Sequence, residues 1–278
     1  MDEPILQVRG LHYAYEEEKC ALHNVSLEIH TGERIAVLGT NGAGKSTFFL
    51  CLNGVLDPHE GEILLHGKAI DRRTRNELRE HVGVVFQNAD DQIIASTVLA
   101  EISFGPMNLR LPREEVQRRV ELAIRAMDLE EYRHRPPHYL SGGEKKRVSI
   151  ADIIAMESEV ILFDEPAASL DPAGAEMLEN VLDGLSACGK TLLISTHDMD
   201  FAFRWADRVV VFSEGKIIDD GTPLAVFQND LTVSRANLRR PAMLTVFESL
   251  RTHGMIPENA QCPRTPHELD QILDRMKS

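Results

Sequence analysis

The chain has 278 residues, 43% of them hydrophobic and 27% charged, which suits one large globular domain with a small appendage. Its formal net charge of −14 argues against a nucleic-acid partner, which would call for a basic stripe. No apolar run approaches the roughly 20 residues that cross a bilayer, and Met1-Asp-Glu-Pro-Ile5 is no signal peptide, so the chain is expected to be made and kept in the cytosol.

From Ile5 to about Ile29 the sequence reads as strands and a hairpin, with Val25-Ser-Leu-Glu-Ile-His30 alternating apolar and polar before a turn at Thr31-Gly32. The apolar run Arg34-Ile-Ala-Val-Leu38 reads as a buried strand. It leads into Gly39-Thr40-Asn41-Gly42-Ala43-Gly44-Lys45-Ser46-Thr47, which fits G-x-x-x-x-G-K-[ST] at every fixed position. Glycines in such a loop let successive backbone N–H groups turn onto a polyphosphate, and the helix expected from Lys45 adds its positive dipole end. The pattern places Lys45 on the β- and γ-phosphates, the Ser46 hydroxyl on Mg²⁺, and Thr47 as a further donor to the phosphates. A short strand, Gly61 to Gly67, completes an antiparallel β layer beside a nucleotide-binding α/β core.

Residues from about 90 to 157 have the texture of a helical subdomain. Between Arg113 and Tyr132, Val116, Val120, Ala123, Ile124 and Met127 fall at helical spacing, which predicts a core-facing stripe. The segment ends in Leu140-Ser141-Gly142-Gly143-Glu144-Lys-Lys-Arg-Val148, whose glycines suggest another helix N-terminus open to an anion. Next, Val160-Ile-Leu-Phe-Asp164-Glu165 reads as a central parallel strand with two carboxylates at its C-terminal end, where α/β sheets bind ligands. Asp164 is the expected Mg²⁺ partner through water, and Glu165 the residue that orients and deprotonates an attacking water. Thr191 to Thr196 reads as a second strand ending at His197.

Val209-Val-Val-Phe212, a turn at Glu214-Gly215 and Lys216-Ile-Ile-Asp219 close the core. Residues 1–233 thus form the main domain and 234–278 an appendage with two helices. One is predicted to bury Leu244, Phe247 and Leu250; the other opens on Thr265-Pro-His-Glu268, a capping box with proline in the first turn, and is predicted to bury Leu269, Ile272 and Met276. So small an appendage holds little core alone, so it is expected to pack on a partner copy or on the main domain, as a possible dimerisation element. Cys20, Cys51, Cys188 and Cys262 lack C-x-x-C spacing and the 11 histidines are scattered, so neither disulfides nor a metal-binding cluster is expected.

The phosphate loop, the Leu140-Ser-Gly-Gly143 signature and the acidic strand end together resemble the ATP-binding cassette (ABC) family. That resemblance implies an ATPase of the P-loop α/β class with ATP and Mg²⁺ as ligands. It implies that Gln87, in Val84-Val-Phe-Gln87, is the Q-loop glutamine that ligates Mg²⁺ and senses a membrane partner. Ser169-Leu170-Asp171 matches the D-loop at a dimer interface, and His197 the switch histidine on the γ-phosphate. Tyr15 matches the residue that stacks on adenine, with Tyr13 the competing choice. It also implies a head-to-tail dimer in which Ser141, Gly142 and Gly143 of one copy complete the site of the other, a homodimer having two complete sites. Thr40 stands where many relatives have proline, and Glu144 where many have glutamine.

Asn88-Ala-Asp-Asp-Gln-Ile-Ile-Ala-Ser-Thr-Val98 followed by Glu101-Ile-Ser-Phe-Gly-Pro106 is similar to ATPase subunits of energy-coupling-factor (ECF) transporters, especially the cobalt and nickel branch. Pro241, Leu250, Gly254 and Thr265 to Leu269 follow in that family's order. The resemblance implies that Asp90, Asp91 and Gln92 line a groove for coupling helices of a transmembrane subunit. A separate substrate-binding membrane subunit would choose the ion, and this chain would sit at the cytoplasmic face of the membrane. It points to import, most directly of cobalt. A vitamin or nickel importer subunit, or a soluble ABC ATPase outside transport, are the alternatives.

Overall fold

The computed structural model describes residues 3–16, 19–168, 170–257 and 259–276. Strands β1 (Leu6–Glu16) and β2 (Lys19–Ile29) form the expected hairpin, and β3 (Arg34–Leu38) runs into the phosphate loop and α1 (Lys45–Leu52). Then come β4 (Glu60–Leu65), β5 (Lys68–Ala69), α2 (Arg75–His81) and β6 (Val82–Val85). Helices α3 (Val98–Asn108), α4 (Arg113–Ala126) and α5 (Gly142–Met156) form the helical subdomain. The chain returns through β7 (Val160–Asp164), α6 (Pro172–Ala187), β8 (Thr191–Ser195), α7 (Met199–Trp205), β9 (Arg208–Ser213) and β10 (Lys216–Gly221). It ends in α8 (Pro223–Gln228), α9 (Asp230–Arg235), α10 (Ala242–Thr252) and α11 (Pro266–Met276).

The strands make two sheets. A four-stranded antiparallel sheet has the order β2-β1-β4-β5, and a six-stranded sheet the order β10-β9-β3-β8-β7-β6. In the larger sheet β9, β3, β8, β7 and β6 are parallel and β10 is an antiparallel edge. Its five parallel strands are buried on both faces, and their period of two sends alternate residues to opposite cores. Ile35, Val37, Leu162 and Phe212 face the small sheet and α1, whereas Ala36, Leu38, Phe163 and Val211 face a core shared with the helices of the other side. Helix α1 is therefore clamped between the sheets through Phe48, Phe49, Cys51 and Leu52, and that clamp fixes the phosphate loop.

The stripe predicted for α4 is the one that packs: Val120, Ala123, Ile124 and Met127 are buried and Val116 is partly covered. The appendage is continuous with the main domain. Helix α9 spans the expected boundary at 233/234, and Ala236 and Leu244 join the core beneath the large sheet. The burial predicted for α11 is corrected: none of its residues is buried, Leu269 and Ile272 are only partly covered, and Met276 is exposed. An amphipathic face buries residues only where an opposing surface closes on it, and the segment from Asn259 to Pro263 leaves an open cavity against α11 at Ile272 and Met276. It is held by its flank, where the Arg264 guanidinium donates to the carbonyls of Phe203, at 2.9 Å, and of Ala206.

Candidate active site

The loop after β3 is built around backbone contacts that only glycine permits. At Gly39 (φ +143°) a Cβ would lie 2.3 Å from the Phe212 carbonyl oxygen, and at Gly44 (φ +103°) 2.6 Å from that of Ala21. Gly44 is also the N-cap of α1, and among the described residues no side-chain cap takes up the free N–H groups of that helix end. Lys45 is buried and folds back over the loop, donating to the carbonyls of Gly39 at 2.7 Å and Thr40 at 3.2 Å. Burial lowers its pKa, while Glu165 and Asp164 act in the opposite direction.

The loop forms one wall of a cavity of about 400 Å³, lined by residues 41–47 together with Tyr15, Cys20, Ala21, Gln87 and Glu165. Tyr15 sits over this cavity with its hydroxyl 3.1 Å from Thr47 Oγ1. Tyr13 instead stacks on His59, with ring centroids 5.2 Å apart. Thr47 is thus engaged by Tyr15, and Ser46 lines the cavity.

Three neighbouring strand ends converge on Glu165. Its carboxylate has Oε1 2.8 Å from His197 Nε2 and Oε2 3.0 Å from the donating amide of Gln87. Glu165 has a left-handed backbone (φ +45°), a conformation that costs a non-glycine residue about 1–3 kcal/mol and persists only where its surroundings enforce it. The enforcing contact is Ser195 on β8, whose Oγ accepts from Glu165 N–H at 2.9 Å and donates to Asp164 Oδ1 at 2.5 Å. Ser195 thereby fixes both carboxylates at once. Such a set, a cation over a phosphate-sized loop beside a carboxylate held from both sides, can bind a nucleoside triphosphate and steer a water onto it.

The signature segment lies elsewhere. Ser141 caps α5: its hydroxyl accepts from Glu144 N–H at 3.3 Å and Glu144 Oε2 accepts from Ser141 N–H at 2.7 Å, a full capping box. Glutamate at 144 is accounted for by this bond, which also holds its carboxyl below the usual range. Neither Ser141, Gly142 nor Gly143 lines the cavity of its own chain. Asp171, N-cap of α6 through a 2.7 Å bond from Gly174 N–H, is likewise outside it, and Ser169 lies outside the described residues.

Helix α5 nevertheless reaches the site through Lys146, a buried cation that sequence reasoning missed. Its ammonium donates to the carbonyls of Phe86 at 2.6 Å and Gln87 at 2.8 Å, so the helix that carries the signature also anchors the Gln87 loop. A second tie joins Lys145 to Asp90 at 2.6 Å. Gln92 is turned inward, accepting from Phe86 N–H at 3.3 Å and donating to Ser149 O at 2.9 Å, while Asp90 and Asp91 stay exposed.

The family model for the ABC transporter matches residues 22–168. This chain is an ABC transporter ATPase. Among its curated relatives, the energy-coupling factor transporter ATP-binding protein of Methanocaldococcus jannaschii is 46% identical, the match covering 91% of this chain and 91% of the relative. The cobalt import ATP-binding protein of Rhodobacter capsulatus is 44% identical over 94% of each. Among solved structures, cbiO1 of Clostridium perfringens, part of the ABC transporter complex cbiONQ, superposes with a TM-score of 0.73 at 39% identity, covering 89% of this chain and all of that one. The P-loop ABC fold, the ATPase class and membership among ECF-type ATP-binding subunits follow. No helix among the described residues of this ABC ATPase is long and apolar enough to cross a membrane.

Lys146 and Ser195 carried no local signal in the sequence. The first reads as one charge in a basic run, the second as a strand residue, and only the tertiary contacts show that each holds a residue of the candidate site in place.

Proposed function

We propose that two copies of this chain form a head-to-tail dimer that hydrolyses ATP at the cytoplasmic face of the membrane and drives an ECF-type importer of cobalt. The observation that carries the hydrolytic half is Glu165, bracketed by Gln87 and His197 at the rim of the phosphate-loop cavity. In this reading Lys45 and the loop amides from Asn41 to Thr47 bind the phosphates, Tyr15 takes the adenine, Glu165 orients and deprotonates the attacking water, and His197 contacts the γ-phosphate. Ser46, Gln87 and Asp164 offer hydroxyl, amide and carboxylate oxygens, the hard donor set that suits Mg²⁺. When bound there, Mg²⁺ would neutralise charge on the β- and γ-phosphates.

The dimer is supported by Gly142. A Cβ there would meet nothing within 4 Å, so no packing contact among the described residues calls for glycine at this first position of α5. A phosphate of the partner's ATP approaching the α5 N-terminus supplies the missing reason, and Asp171 would lie on the same interface. Asp90 and Asp91 are proposed to meet the coupling helices of a transmembrane subunit, with Gln92 bracing them from inside. The cobalt assignment is supported by the relative that imports cobalt, and ion choice would reside in a separate membrane subunit.

Purification of the tagged chain from native membranes in mild detergent tests this reading. Recovery with a transmembrane coupling subunit and a metal-binding membrane subunit is the expected result. A vitamin-binding subunit in their place would discard cobalt, and reproducible recovery only with ribosomes or DNA would overturn transport.

A further inference from the structure

The fold gathers histidines that the sequence scatters. His12 on β1 and Cys20 and His23 on β2 place one imidazole nitrogen, the Cys20 Sγ and a second imidazole nitrogen all within 4.8 Å of one another. Cys20 Sγ lies 3.4 Å from His12 Nε2, and the two imidazole rings meet edge to face with centroids 5.8 Å apart. In a regular strand Cys20 and His23, three residues apart, would point to opposite faces. They share one because the β1–β2 register slips: Ala14 pairs Cys20 and Tyr13 pairs Leu22, then Leu11 pairs Val25, so β2 carries an extra residue at each step.

We infer that His12, Cys20 and His23 form a binding site for a borderline-soft divalent cation of the Zn²⁺, Co²⁺ and Ni²⁺ class. Around a tetrahedral ion of this class, thiolate and imidazole ligand atoms stand about 3.5 Å apart, close to the spacing already present between Cys20 and His12. One sulfur with two imidazoles selects against Mg²⁺ and Ca²⁺, which take oxygen ligands, so the site is chemically separate from the Ser46, Gln87 and Asp164 set. All three residues are half-buried, which limits competing hydration. In the metal-free chain the Cys20 thiol donates to the carbonyls of Leu22 at 3.1 Å and Tyr13 at 3.4 Å; on binding, the S–H bond breaks, the sulfur–metal bond forms and the proton passes to solvent.

A second cluster, His66, His81 and Glu159, differs in a useful way. There the carboxylate already takes both imidazoles, at 3.0 and 2.6 Å, and no thiol is present. Of these two clusters, only that of Cys20 can give a thiolate signature. Because Cys20 also lines the nucleotide cavity, the ion would sit in the wall that carries Tyr15.

The test is a titration of the reduced, nucleotide-free full-length chain with Co²⁺ alone, followed by absorbance. One equivalent is expected to produce a thiolate-to-cobalt charge-transfer band in the near ultraviolet, displaced by Zn²⁺. Cys20→Ser is expected to lose the band, and His12→Ala and His23→Ala to weaken Co²⁺ binding by roughly tenfold or more. His81→Ala and the Cys188→Ser/Cys262→Ser double variant are expected to keep it, which guards against a Cys20 variant that fails to fold. Absence of a band at saturating Co²⁺ would overturn the inference, as would a band that vanishes in the Cys188/Cys262 double variant.

Discussion

His197 Nε2 lies 2.8 Å from Glu165 Oε1, a contact made between the ends of two adjacent parallel strands, β8 and β7. The third neighbouring strand, β6, leads to Gln87, which takes the other carboxylate oxygen at 3.0 Å. The general base proposed at Glu165 calls for a fixed orientation, and the strand order of the sheet supplies one.

His197→Ala is therefore expected to lower ATP turnover by about 10²-fold, the lower range for loss of a positioned acid–base group, while ATP affinity stays close to wild type. Single-turnover hydrolysis beside fluorescent-nucleotide binding separates the two. An affinity loss as large as the rate loss would assign His197 to binding.

Lys146→Met removes the donor to two carbonyls of the Gln87 loop and is expected to cost about 1–3 kcal/mol in denaturant unfolding. Burial pushes the Lys146 ammonium down from 10.5 to about 8, with Asp164 and Glu165 opposing. Between those values the folded chain binds fewer protons than the unfolded one, so stability contributed by this group rises as pH climbs from about 8 toward 10.5. The variant is expected to flatten that rise.

Asp152 has the opposite sign. Burial pushes its carboxyl from 3.8 up to about 7, with Glu101 adding to the effect and the Gln92 amide opposing it. The folded chain keeps a proton that the unfolded chain has lost, so the stability from this group falls as pH rises through that window and is gone above about 7. Asp152→Asn is expected to abolish the decline and to be the more stable chain at pH 8, measured by thermal unfolding across pH.

The parts of the site that could be read in the sequence are those contiguous along the chain: the phosphate loop, the acidic end of β7 and the signature. Their spacing is itself the proposed chemistry, because successive amides or adjacent carboxylates are what would bind phosphate and cation. Ser195 and Lys146 escaped because each acts across a tertiary contact on a residue at least 30 positions away. The gathering of His12, Cys20 and His23 escaped because register slips between strands leave no mark in composition. On α11 the periodicity was correctly helical, but periodicity names a face and not what covers it.

The most direct measurement mixes two inactive variants, Glu165→Gln and Gly143→Asp. Each homodimer lacks one essential half at both sites and is expected to be inactive. In the mixed dimer one site combines the intact Glu165 of one copy with the intact signature of the other, so an equal mixture is expected to regain roughly a quarter of wild-type ATP turnover under random two-fold pairing. A mixture as inactive as its components would contradict a site shared between two copies.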